Sequence, residues 1–306
     1  MGPLNPRQVR PGGVERGLVM SDTSTTPLSP MVPDPTYADL RYRDCFWPSR
    51  AYEDRCDRIA LEALLPRTGD RLIEVGAGFG RLADEFSGYR EVVLLDLSGV
   101  QLAAARERLG DDPRYVTVEG DAFHLPFPDA SFDAAVCVRV IHHFDDPRAA
   151  IAEMARVLRP GGVLVLESSN KRNLKAIALY LLRRQRESPF RPGSQTETNA
   201  HFLPRIVRMR RSSRAASDPA GSVAPWWPTT GVDHAPGDLG RWLQAAGFRI
   251  DATRAAGLFR LPFATRHVPL ALLTGLERAL QSLLAPVTPG PSIFLRAIRL
   301  EAIRDF

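Results

Sequence analysis

Three alternating glycines, Gly76, Gly78 and Gly80, stand between an acid, Glu74, and a base, Arg81, where the apolar run from Leu72 to Val75 ends. A strand that enters such a loop is built to meet a nucleotide. Glycine turns the chain sharply and lets the main chain, Ala77 included, approach a ligand that a Cβ would exclude, and a following helix is expected to add its N-terminal N–H groups. A dinucleotide loop places its third glycine three positions after the second. Here that position is Arg81, and Glu74 sits where a dinucleotide strand would stay apolar. A second group follows the apolar run Ala134–Val138: His142 and His143, then Asp145 and Asp146. One imidazole at a strand's C-terminal end could take a proton near neutral pH; the alternative is that one histidine packs or caps and the other is solvated. A metal held by His142, His143, Asp145 and Asp146 would require adjacent, diverging side chains to converge, so no metal is expected.

The pattern acid-x-Gly-x-Gly-x-Gly from Glu74 to Gly80 resembles the first motif of class I S-adenosylmethionine-dependent methyltransferases. The strand Glu91–Asp96 ends in an acid twenty positions after Gly76, and a third strand, Arg114–Val118, leads to Gly120-Asp121-Ala122. The resemblance implies that Asp96 accepts both ribose hydroxyls and that Leu97 packs on one adenine face. It also implies that Asp121 accepts from the exocyclic amine and that the Ala122 N–H meets a ring nitrogen. Leu125-Pro126-Phe127, Ser131-Phe132-Asp133 and Arg159-Pro160-Gly161-Gly162 are similar to the small-molecule, ubiquinone/menaquinone-methyltransferase-like branch called type 11. The expected cofactor is therefore S-adenosyl-L-methionine. Arg139 is counted with the cofactor side of the site; binding of an acidic acceptor, or a salt bridge within the fold, are its other readings.

These residues need a frame. Strands alternate with helices from Leu72 to Glu167, the signature of a doubly wound parallel sheet of Rossmann-like type. Asp146 is an N-cap, Pro147 fits a first turn, and Ile151, Met154 and Leu158 make an apolar stripe. Ser49 is expected to cap an earlier helix bearing Tyr52, Cys56, Ile59 and Ala63. Further helices are predicted over Leu174–Arg184 and Asp238–Ala246, and along Leu270, Leu273, Leu276, Leu280 and Leu283. Phe248–Thr253 and Ser292–Leu300 complete seven strands, and the resemblance implies that the last two form the antiparallel edge typical of this fold. Residues 1–35, rich in Pro, Gly, Ser and Thr, read as a disordered tail. Residues 36–306 read as one methyltransferase domain with an N-terminal lid (36–66) and a helical substrate-side insert (171–235) after the fifth strand.

The 306 residues carry a net charge of +5 and 44% hydrophobic residues, enough for one large domain and no sign of nucleic-acid binding by itself. Cys45, Cys56 and Cys137 form no C-x-x-C pair, so neither disulfides nor zinc are indicated and a cytoplasmic setting is expected. Cys137 is followed by Val138, not Pro, and Arg139-Val140-Ile141 replaces the Asp/Asn-Pro-Pro-aromatic of amino-methylating nucleic-acid enzymes, so neither base-modifying class fits. The expected acceptor is a small, apolar molecule. Between Lys171 and Arg214, however, two Lys and ten Arg face only Glu187 and Glu197. That stripe suits a solvated lid, RNA or an anionic lipid surface. An RNA methyltransferase using this insert, or a protein that holds the cofactor without turnover, are the alternatives. Trp226 and Trp227 in the insert, and Tyr42, Phe46 and Trp47 in the lid, read equally as acceptor contacts or as core. The oligomeric state stays open.

Overall fold

The computed structural model describes residues 37, 39–144, 146–183, 188–190, 196–197 and 232–301. The tail, most of the insert with Trp226 and Trp227, and Asp145 lie outside the described residues. The strands are β1 (Gly69–Val75), β2 (Tyr89–Asp96), β3 (Tyr115–Glu119), β4 (Phe132–Cys137), β5 (Leu158–Ser169), the two-residue pair β6 (Thr196–Glu197) and β7 (Val232–Asp233), β8 (Phe248–Ala256) and β9 (Ser292–Arg299). Seven of them form one sheet in the order β3-β2-β1-β4-β5-β9-β8. β1 to β5 pair in parallel, and β9 runs antiparallel to both β5 and β8. The expected antiparallel edge is present, with the last strand inserted ahead of the one before it. Apolar residues fill both faces of the central strands, as a sheet covered on both sides requires: Leu72, Ile73, Leu94, Ala134 and Val165 are fully buried.

Chain order reverses between β1 and β4, and that switch point puts the C-terminal ends of β2, β1 and β4 around one crevice. The helices are α1 (Ala51–Leu64), α2 (Gly99–Leu109), α3 (Pro147–Val157), α4 (Leu174–Leu181), α5 (Pro236–Ala245), α6 (Pro262–His267) and α7 (Leu270–Leu283). α3 starts as its sequence dictates, with Asp146 accepting from the Arg148 N–H at 3.1 Å and Pro147 in the first turn. α1 differs in one respect. Ser49 ends a short 3-10 turn and donates to the Phe46 carbonyl, Arg50 occupies the cap position, and Ala63 is exposed while Ala60 and Leu64 are buried.

The largest departure follows the glycine loop, where no α-helix forms. Ala83–Phe86 make a single 3-10 turn, because β2 begins at Tyr89 and too few residues remain for more. α7 departs in orientation. Of its five regularly spaced leucines only Leu273 is buried; its inward positions are completed by Glu277 and Gln281.

Candidate functional site

The loop after β1 is held by its own protein. The amides of Gly76 and Ala77 both donate to the Leu95 carbonyl, at 2.7 and 3.0 Å, and the Gly78 amide donates to Asp96 Oδ2 at 2.7 Å. All three loop glycines have positive φ, between 55° and 77°. Their surroundings differ. A Cβ on Gly76 would lie 2.3 Å from a Val140 methyl, whereas one on Gly78 would meet nothing within 4 Å, so the chain there faces open space. With these amides committed, and no helix N-terminus behind them, the loop is no cradle for a pyrophosphate. It suits a nucleoside without phosphates.

Glu74 supplies the site's most unusual group. It is 3% exposed, and its Oε2 has no hydrogen-bond partner. Burial pushes its pKa up to about 8, against the opposing pull of Arg81. A buried carboxylate oxygen without a partner is completed by a cationic or N–H-bearing ligand. Asp96 lies next to it at the end of β2, accepting from the Gly78 and Ser98 amides; burial raises its pKa and those bonds oppose the rise. Ser98, not Asp96, caps α2. Leu97 is half-buried, Asp121 accepts from the Phe123 N–H at 2.9 Å, and Ala122 is buried beside it.

Beyond β4 stand the histidines. His142 is partly buried, its buried Nδ1 lacks a partner, and burial together with His143, Arg139 and His234 holds its pKa well below the usual imidazole value. These surroundings favour the neutral ring. His143 Nε2 lies 3.1 Å from the Tyr37 hydroxyl, and the Tyr37 carbonyl accepts from Ser98 Oγ at 2.8 Å. Tyr37 thus links the ends of β4 and β2 across β1, which lies between them in the sheet. Behind it Trp47 packs on Phe79 of the loop, with Tyr42 and Phe46 partly buried against them, so the described aromatics of the lid are core on the loop side.

Arg139 is held within the fold. Its guanidinium forks onto Asp57, which is fully buried, at 2.8 and 2.9 Å, and its amide donates to Glu167 Oε2. These contacts fix a non-glycine residue at φ 62°. Arg81 reaches the same Asp57 at 2.8 Å and lies 3.7 Å over the Trp47 ring. The salt bridge left open by the sequence is therefore formed. Asp57, Glu167, Tyr37 and His234 escaped the sequence reading. Asp57 had a faint signal, an acid beside the buried positions Cys56 and Ala60 of α1; His234 had none, since only the fold returns it to the end of β5, where its N–H donates to the Ser169 carbonyl. Among the described residues no cluster of three His, Cys, Asp or Glu could hold a metal. Cys137 is a buried core residue whose thiol burial drives upward in pKa.

Residues 73–166 match the family described as a methyltransferase domain, type 11. A demethylmenaquinone methyltransferase of Clavibacter sepedonicus is 30% identical over 64% of this chain and 72% of its own length. The chain belongs to the S-adenosylmethionine-dependent methyltransferases. A 27-O-demethylrifamycin SV methyltransferase of Amycolatopsis mediterranei is 40% identical over 36% of this methyltransferase, and a ubiquinone/menaquinone biosynthesis C-methyltransferase of Pseudomonas fluorescens 37% over 40%. The match spans only 42% and 51% of those two relatives. The fold is that of a Haloferax volcanii protein solved with the Trm112 methyltransferase activator, with a TM-score of 0.55 at 15% identity over 89% of this chain and all of that one. Glu74's vacant oxygen, the opening at Gly78 and the carboxylate of Asp96 fit the family's cofactor.

Proposed function

We propose that this methyltransferase moves a methyl group from S-adenosyl-L-methionine to a small, largely apolar acceptor at the C-terminal end of β4. The partnerless, buried oxygen of Glu74 on β1 and the opening at Gly78 in the loop that follows carry the reading, because a cationic, phosphate-free nucleoside would satisfy both. Asp96, Leu97, Asp121 and Ala122 would hold the adenosine part, and Glu74 with the loop Gly76, Ala77, Gly78 and Gly80 its amino-acid part. When bound, the cofactor offers a methyl on a sulfonium, whose departure as a neutral thioether needs no strong acid. The protein's task is then alignment, which can contribute roughly 7–11 kcal/mol. Arg139, locked on Asp57, would act as wall rather than ligand.

His142 suits a particular part of that task. As a neutral ring with a vacant Nδ1 it can accept a hydrogen bond from an acceptor's O–H, while the neighbouring Arg139 disfavours a full positive charge on it. His143, tied to Tyr37, would help close the crevice. An acidic hydroxyl is the nucleophile such a site serves best, since it loses its proton to water or to a weak base. The acceptors in the relatives' names, a rifamycin and a menaquinone precursor, are small molecules and support this class. The insert 171–235 would roof the acceptor. The test is methyl transfer from labelled cofactor to hydroxylated aromatic and quinol acceptors, compared with RNA. A variant with Arg205, Arg208, Arg210 and Arg211 changed to Gln should keep small-molecule activity; loss of that activity together with RNA affinity would move the protein to the RNA enzymes.

A further inference from the structure

α7 is amphipathic the wrong way round. Its buried stripe is Leu273, Glu277 and Gln281. Glu277, fully buried, accepts from the Tyr52 hydroxyl at 2.6 Å and from the Gly257 and Leu258 amides at 2.7 and 3.1 Å, and Gln281 donates to the Cys56 carbonyl at 3.1 Å. Polar groups therefore anchor the helix to α1 and to the end of β8. Several of its leucines face outward instead: Leu272 and Leu283 are 55% and 70% exposed, and Phe263 of the adjoining α6 is 74% exposed. Leu261, Leu276 and Val287 extend the exposed apolar surface. Folding leaves this surface in water, where a soluble chain normally buries it.

The charges on the same segments have one sign. Among the described residues of 171–183 and 257–290, Arg172, Lys175, Arg183, Arg260, Arg266 and Arg278 lie outside the core, and the single acid, Glu277, is buried. The two segments also meet, since the Leu174 N–H at the start of α4 donates to the Pro289 carbonyl at 2.9 Å. α4 buries none of its residues and exposes Leu174 and Leu181. Arg278 pairs with Glu62 and Arg260 with Glu53, and Arg183 and Arg266 are exposed. Apolar helices rimmed by basic residues lie at a lipid interface, sinking the apolar face while the cations meet anionic headgroups. A second copy of the chain fits worse, because a twofold contact would set Arg266 and its neighbours against themselves.

We propose that the α6–α7 face, with α4 at its edge, docks on an anionic lipid surface. The docking stands whatever the acceptor is. The experiment is cosedimentation of the full-length protein with vesicles of phosphatidylcholine alone and of phosphatidylcholine mixed with phosphatidylglycerol. Binding should be at least tenfold tighter to the anionic vesicles and should weaken with salt. The double variant Phe263→Glu/Leu272→Glu changes exposed positions only, so it should keep its circular dichroism and melting temperature and lose at least tenfold in binding. After subtraction of the wild-type emission, which comes from four native tryptophans, Phe263→Trp should show a blue-shifted spectrum on the anionic vesicles. Three results would each overturn the proposal: equal binding by wild type and double variant, an unshifted Phe263→Trp spectrum in a bound protein, or a wild-type dimer in light scattering that the double variant abolishes.

Discussion

Replacing Glu74 by glutamine should stabilise the protein without cofactor at pH 8 and change little at pH 5. The carboxyl is 3% exposed and its pKa is raised from an ordinary 4.5 to about 8 by burial. An acid whose folded pKa is raised holds its proton in the folded state after the unfolded chain has lost it. Stability therefore falls as pH rises through the window from about 4.5 to about 8, with a slope of at most ~1.4 kcal/mol per pH unit. Over that window the ceiling is about 5 kcal/mol, and relaxation around the carboxylate brings the cost below it. Glutamine has the same shape and no proton to lose. Denaturant unfolding from pH 5 to 8.5 should give a wild-type curve that falls relative to the variant's, reaching a difference of a few kcal/mol near pH 8. A cationic ligand at Glu74 reverses the balance, so wild-type affinity for S-adenosylmethionine should rise with pH across the same window and the variant's should not. Parallel stability curves for the two proteins would refute the reasoning, since they would show Glu74 ionised at no cost.

Three further outcomes follow from the site's packing. Asp57→Ala leaves the Arg81 and Arg139 guanidinium groups without their shared buried partner and should destabilise by ~3–5 kcal/mol in denaturant unfolding. Gly76→Ala forces an L-residue into φ 77° and a methyl against Val140, so its melting temperature should fall by an amount equivalent to more than ~2 kcal/mol. Because His142 is held neutral well below its usual pKa, the pH profile of kcat with an identified acceptor should show no loss from His142 protonation between pH 8 and 6.5. A protonation step in that interval that disappears in His142→Ala would contradict this.

Local chemistry was legible in the sequence, and long-range pairing was not. The loop glycines, Asp96 and the Asp146 cap declare themselves because each answers a local backbone requirement: a positive φ, a strand end, a first turn. The doubly wound sheet followed from strand–helix alternation, and its antiparallel edge from the family resemblance. Failures arose where tertiary contacts overrode a local pattern. A helix after Gly80 was expected by analogy with nucleotide loops, but the distance to β2 leaves room for one 3-10 turn. The leucine period of α7 gave the helix and not its facing, since the residues that decide the facing, Glu277 and Gln281, are polar and bury through partners over 200 positions away, Tyr52 and Cys56. Arg139 carried three readings until Asp57, 82 positions away, took its guanidinium. His234 reaches His142 only because the chain returns to the end of β5 after the insert.

The central claim is that the loop after β1 holds S-adenosylmethionine through Asp96 and cannot seat a dinucleotide. Titration calorimetry of the wild type and Asp96→Ala with S-adenosylmethionine, its demethylated product and NAD tests it most directly. The account predicts binding of the first two by the wild type, no heat of binding with NAD, and a loss of about 1.5–3 kcal/mol in the variant, the worth of hydrogen bonds to a charged group. Unchanged affinity in Asp96→Ala, or saturable binding of NAD, would contradict it.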